Sequence, residues 1–133
     1  MLKKTITYVD YDDNKRTEDH YFNLTQHELM EMQLEVDGGL KRTLEKIINE
    51  NDEKLIMKHF KKIVGLAYGK KSDDGRYFDK SPEISARFFC SAAYETLMNE
   101  FMTSPKAAAD FINALIPKEL LDKAPELSAP SIG

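Results

Sequence analysis

The segment Leu24-Thr25-Gln26-His27-Glu28-Leu29 restricts the fold more than any other, because two helix-start signals coincide in it. Thr25 stands as an N-cap, and Glu28 follows three residues on, where its carboxylate can reach back to the cap's backbone N–H. Leu24 and Leu29 take the flanking positions of a hydrophobic staple. Upstream, Lys3 to Asp10 alternates, with Ile6 and Tyr8 on one face and Thr5, Thr7 and Val9 on the other. That is the β-branched and aromatic pattern of a half-buried strand. Tyr11 to Lys15 is turn chemistry and Arg16 to Leu24 a returning strand, so Thr25 marks the point where a β-hairpin becomes a helix. Two strands alone are marginal in water. The hairpin must lean on helices or add to a partner's sheet.

Helical periodicity governs most of the remainder. From Gln26 to Val36, Leu29, Met30, Met32, Leu34 and Val36 span a broad apolar arc opposite Glu28, Glu31 and Glu35. So wide an arc predicts contacts on two sides, with the methionines read as core in preference to an adaptable binding surface. Asp37-Gly38-Gly39 ends this helix. Leu40, Leu44, Ile47 and Ile48 predict a second helix, and Asn51 or Asp52 caps a third. The third buries Ile56, Phe60, Ile63, Val64 and Ala67 and turns Lys54, Lys58, Lys61 and Lys62 outward. Gly65 inside it costs about 1 kcal/mol relative to alanine, which points to close packing. Gly69 is expected to close the helix.

Lys70 to Ser81 reads as a loop, with a turn or tight hairpin at Asp73-Asp74-Gly75-Arg76 and with Tyr77 and Phe78 tucked onto the core. Ser81-Pro82 starts the next helix. Continued to Met102, that helix would scatter its apolar residues around the whole circumference. A break near Cys90 and a restart at Ser91 bring Tyr94, Leu97, Met98, Phe101 and Met102 onto one face. Ser104-Pro105 starts another helix, with Ala108, Phe111, Ile112, Leu115 and Ile116 as its stripe, and Pro117 stops it. Lys118 to Lys123 adds a turn or two. The expected class is α+β, mainly α: one domain over residues 1–123, with a hairpin at 1–24 packed on about five or six short helices at 25–123. A loose, disordered tail is expected over 124–133.

The chemistry of the chain argues against several functions. In 133 residues no apolar run approaches the roughly 18 to 20 needed to span a bilayer, and Met1 to Thr5 lacks a secretory h-region. Cys90 stands alone, so an internal disulfide is excluded, and it reads as a buried small hydrophobe. His20, His27 and His59 are scattered, and a site built on His20 and His27 is weakly supported. Asp10, Asp12 and Asn14 imitate the start of an EF-hand loop, but Lys15 replaces its glycine and Tyr21 its bidentate glutamate. Phosphate-loop, dinucleotide and nucleophile-elbow motifs are missing. No metal, cofactor or enzymatic activity is expected. The net charge of −4 is divided between an acidic first part and the lysines after Lys54. The lysines read as a solvated face, or as the complement of the acidic part in a homo-oligomer. Nucleic acid is the weakest reading, since no aromatic-rich surface accompanies them.

Several stretches taken in chain order carry a resemblance. They are Tyr21-Phe22-Asn23-Leu24-Thr25, Glu28-Leu29-Met30-Glu31-Met32, Gly38-Gly39-Leu40, Tyr68-Gly69-Lys70-Lys71-Ser72 and Asp74-Gly75-Arg76-Tyr77-Phe78. Ala93-Tyr94-Glu95, Ala107 to Asn113 and Ile116-Pro117 complete the set. In them the chain resembles the tail assembly chaperones of siphophages and prophages of Gram-positive bacteria. The resemblance implies a non-enzymatic factor in the host bacterial cytoplasm. Such a factor binds the tape measure protein, keeps it soluble and helps recruit tail tube subunits, the major tail protein. It also implies that a frameshifted longer product can accompany the short one. An adaptable groove for a helical client is expected at Met98, Phe101, Met102, Phe111, Ile112, Leu115 and Ile116, although core packing accounts for the same residues. Lys58, Lys61 and Lys62 are candidate contacts beside it. Two other functions fit the chain: a small head, connector or tail component of the virion, and a phage-encoded binder of a host protein or nucleic acid.

Overall fold

The computed structural model describes residues 1–35 and 53–116. Among them the order is β1 (Leu2–Val9), β2 (Lys15–Phe22), α1 (Gln26–Glu35), α2 (Glu53–Ala67), β3 (Tyr68–Lys71), β4 (Phe78–Asp79), α3 (Pro82–Phe89), α4 (Ala92–Thr103) and α5 (Pro105–Leu115). The class is α+β, mainly α, with an antiparallel hairpin at the N-terminus.

β1 and β2 pair along their whole length, from Leu2 opposite Phe22 to Val9 opposite Lys15. Asp13 takes the left-handed conformation in the turn between them, at φ 63°. One oxygen of the Asp10 carboxylate accepts the N–H groups of Asp12 and Asn14, each at 2.9 Å, and the other accepts from Arg16 Nε. Those bonds hold the Asp10 carboxyl below its ordinary range, Arg16 first among the causes. The carboxylate is occupied by its own turn.

The sheet has four strands, in the order β1-β2-β3-β4. This corrects the expectation that the chain leaves α2 at Gly69 and enters a loop. α2 ends at Ala67, whose carbonyl accepts the Asn23 N–H at 2.8 Å, and the chain passes directly into β3. Gly69 stands inside that strand. A Cβ there would lie 2.6 and 2.7 Å from ring carbons of Phe78 and 2.8 Å from the Asp79 carbonyl oxygen, so only glycine admits β4 at this distance. Phe78 is therefore tucked in as expected, whereas its neighbour Tyr77 is 63% exposed.

Helices cover one face of the sheet. Ile6 and Phe22 are buried beneath them, while Lys3, Thr5, Thr7, Lys15, Thr17 and Asp19 on the other face are exposed. That is the usual division of an antiparallel sheet with one wet side. A run of ring contacts crosses the core: Tyr68 stacks on Phe88 at 4.0 Å, and Phe88 meets Phe22 edge-on at 6.0 Å. Phe22 then meets Phe111 at 5.3 Å, Phe111 meets Phe101 at 4.8 Å, and Phe101 meets Phe60 at 5.0 Å. Such pairs add to the burial of the rings themselves.

The helix ends follow local chemistry. The Thr25 N–H donates to Glu28 Oε1 at 2.8 Å and the Glu28 N–H to Thr25 Oγ1 at 3.2 Å, so the reciprocal box closes. Ser81, Ser91 and Ser104 each cap the helix that follows, and α3 breaks from α4 at Cys90 as the periodicity requires. Gly65 faces α3, where an added Cβ would lie 3.0 Å from Phe89 Cζ, and its carbonyl accepts from Ser85 Oγ at 2.6 Å. Two expectations need correction. Cys90 is exposed, because it occupies the corner between two helices and not an apolar stripe. On α1, Leu29 and Met32 are buried but Met30 is 46% and Leu34 85% exposed, so among the described residues only one side of the arc is covered.

Several expectations lie outside the described residues. They are Val36, the Asp37-Gly38-Gly39 helix end, the helix carrying Leu40, Leu44, Ile47 and Ile48, and the cap at Asn51 or Asp52. The Pro117 stop, the 118–123 turns and the 124–133 tail lie outside as well, and so does the side chain of Ile56.

Candidate protein-binding surfaces

The described surface offers three features that a protein partner could use, and the sequence assigns roles to only one of them. The first is where β2 and β3 part. They pair at Phe22–Tyr68 and Tyr21–Gly69, after which Lys70 and Lys71 turn to Asp79 and Phe78 on β4. The divergence opens a cleft of about 360 Å³ between Glu18–Tyr21 of β2 and Tyr68–Lys71 of β3. His20 forms part of its wall, with its ring centroid 5.3 Å from that of Phe88 and 6.0 Å from that of Tyr68. Its Nε2 is buried and 3.5 Å from Glu18 Oε1, too far for a good hydrogen bond. Burial pulls the His20 pKa below its ordinary value, and the Glu18 carboxylate opposes this in part. The Tyr8 hydroxyl donates to the same Glu18 oxygen and is pushed up to about 12.

The second feature is the outward face of α2. Lys54, Lys58, Lys61 and Lys62 are exposed there, as the spacing predicts. Lys61 Nζ lies 5.5 Å from the centre of the Phe89 ring, so a cation rests on an aromatic side chain at the α2–α3 junction. The third is apolar. Met30 and Leu34 stand one turn apart on α1, and Met57 is exposed on α2.

The expected groove residues are mostly buried in this conformation. Phe101, Ile112 and Ile116 are each 1% exposed, and Met98, Phe111 and Leu115 are also buried; only Met102 reaches the surface in part. They fasten α4 to α5 and to the sheet, so in this conformation they form no open groove. A helical stripe looks the same whether it meets a neighbouring helix or a client. The stripes of α4 and α5 meet each other.

Lys80 is a positioning group that sequence reasoning missed. Its ammonium donates to the Asn23 carbonyl and the Leu66 carbonyl, each at 2.9 Å, and to Glu28 Oε1. It thereby ties the end of β2, the start of α1 and the end of α2 together. Burial works against ionisation of Glu28, but the Lys80 ammonium and the Thr25 N–H still hold its pKa below the ordinary value. The three groups lie far apart in sequence, and no local pattern announces them.

Among the described residues no group of three or more His, Cys, Asp or Glu side chains converges as a metal site would require. His20 faces the core side of the sheet, while His27 is exposed on α1. None of the described helices is long and apolar enough to cross a membrane. Searches against curated proteins and against solved structures returned no match. A family model described as phage tail assembly chaperone matches residues 1–131. That match spans nearly all of the chain, hairpin and helices alike, and the chain therefore belongs to the phage tail assembly chaperone family.

Proposed function

We propose that this tail assembly chaperone acts on the tape measure protein, binding its helical, apolar-faced segments and helping to recruit tail tube subunits around it, without catalysis. The single observation that carries the reading is the family match over residues 1–131. The surface supports it. A client helix needs an apolar strip with a polar rim, and Met30 and Leu34 supply a short strip on α1. Methionine adapts to varied partners, as a chaperone requires. On the outward face of α2, Lys58, Lys61 and Lys62 offer a separate basic surface for acidic client residues. Met98, Phe101, Met102, Phe111, Ile112, Leu115 and Ile116 would meet a client only after α5 moved off α4.

The test is co-expression with the tape measure protein of the same phage. The client is expected to become soluble and to elute with the chaperone. Met30→Asp with Leu34→Asp should abolish that rescue while leaving the chaperone folded. A client that stays insoluble beside soluble chaperone would remove the reading, and rescue untouched by the double variant would move the contact away from α1.

A further inference from the structure

Among the described residues no strand pairs with the N-terminal half of β2 on the side away from β1, and this edge has an unusual charge order. In an antiparallel strand, successive residues point their N–H and C=O groups to opposite sides. The Asn23 N–H points toward β3, where it donates to Ala67. Tyr21, Asp19, Thr17 and Lys15 therefore direct their backbone groups to that same side. Tyr21 is paired there with Gly69, and the pairing ends at that point. Asp19, Thr17 and Lys15 face the side from which β3 has departed.

The sequence along this edge is Lys15-Arg16-Thr17-Glu18-Asp19, two cations and two anions placed antisymmetrically about Thr17. A strand with this order complements itself. Laid antiparallel with Thr17 opposite Thr17 of a second copy, Lys15 meets Asp19 and Arg16 meets Glu18, and each pair occurs twice. The pleat agrees: Lys15, Thr17 and Asp19 lie on the wet face, and Arg16 and Glu18 on the other. The hydrogen-bonding phase agrees too, because residues 15, 17 and 19 oppose one another in the sites that exchange both backbone bonds. Other registers fail. A slip of two residues either way sets Arg16 on Arg16 or Glu18 on Glu18, and parallel pairing sets like on like throughout. β1, an outer strand of the sheet, carries Lys3 and Lys4 with no acidic residue, and so has no such complement.

We propose that the free half of β2 is a self-pairing edge: two copies of this chain join antiparallel across a two-fold axis at Thr17, with Lys15 against Asp19 and Arg16 against Glu18. The contact is isologous, so it closes at two copies. It places the hairpins of both copies in one continuous sheet with their helices on the same side. This inference rests on strand geometry and charge, independently of what the protein binds.

Sedimentation velocity over a concentration series, at low and moderate salt, tests it. The wild type should form dimers that weaken as salt rises. Lys15→Glu sets acid against acid, and Asp19→Lys sets base against base. Each should weaken self-association by about tenfold or more, while an equimolar mixture of the two should recover heterodimers at near wild-type strength. Thr17→Pro, which removes a donor from the open edge and none from the β1 ladder, should abolish the dimer with the charges intact. Asp19 also accepts from Thr5 Oγ1 at 2.6 Å, so folding of each variant is checked by thermal melting. Should Asp19→Lys fail to fold, Lys15→Glu and Thr17→Pro carry the test alone. A wild type that stays monomeric throughout overturns the proposal, as does a dimer indifferent to Lys15→Glu and Thr17→Pro. So would folded single variants whose mixture does not associate.

Discussion

β2 is one strand with two different halves. At Tyr21-Phe22 it lies between two neighbours, and Phe22 is fully buried beneath helices. At Lys15 to Asp19 it has β1 on one side, no strand among the described residues on the other, and only charged or hydroxyl side chains. Both halves have the same period-two geometry and the same partner in β1. What differs is the third element. Burial begins where β3 joins, and the side chains change from charged to aromatic within two residues. A strand's sequence thus records how many neighbours each part of it has as well as which face is wet.

The comparison can be broken most forcefully at its buried end. Phe22→Ala removes a ring in contact with Tyr68, Phe88 and Phe111, and should cost about 3–5 kcal/mol in a urea titration. Gly69→Ala comes next. The new methyl group would overlap Phe78 and the Asp79 carbonyl, and a loss of about 1–3 kcal/mol is expected, with faster amide exchange in β3 and β4. Lys80→Met keeps the stem but leaves the carbonyls of Asn23 and Leu66 without their donor, for a loss of about 1–3 kcal/mol by the same titration.

Acid should sharpen the contrast. Burial lowers the folded-state pKa of His20, so its contribution is complete above pH 6.5 and is lost as pH falls through the folded value. Glu28, also depressed on balance, contributes above pH 4.5 and loses that contribution as pH falls through its own folded value. The melting temperature should therefore begin to drop below pH 6.5, and His20→Phe should flatten that first part of the decline. The smallest effect belongs to the exposed end. Lys15→Glu should change monomer stability by no more than about 0.5 kcal/mol, whatever it does to association.

The features that could be read from the sequence were the local ones. Thr25 with Glu28, Ser81, Ser91 and Ser104 all act within one helical turn, so residue type and spacing suffice to find them. The break at Cys90 followed from the phase of apolar residues on either side. The tight hairpin around Asp73 to Arg76 is legible, and β3 and β4 are its arms; that they extend the N-terminal sheet is not, because they are only four and two residues long and because a glycine after a helix reads as its cap. Here Gly69 serves a strand 9 residues before its neighbour Phe78, a relation that only pairing reveals. The three bonds of Lys80 and the exposure of Leu34 are likewise properties of the assembled chain. The expected client groove is not open in this conformation for a related reason: α4 and α5 present complementary apolar stripes and cover each other.

Ser104 ends α4 and begins α5, with no residue between the two roles. Its backbone therefore works like a splice with no slack. An inserted residue at this joint would rotate everything downstream by about 100° and carry Phe111, Ile112 and Leu115 out of the core. The same insertion among Tyr11 to Asn14 would only lengthen an exposed bend. Relatives of this chain should accordingly differ in length at the first hairpin and keep a fixed count of residues from Ser91 to Ile116.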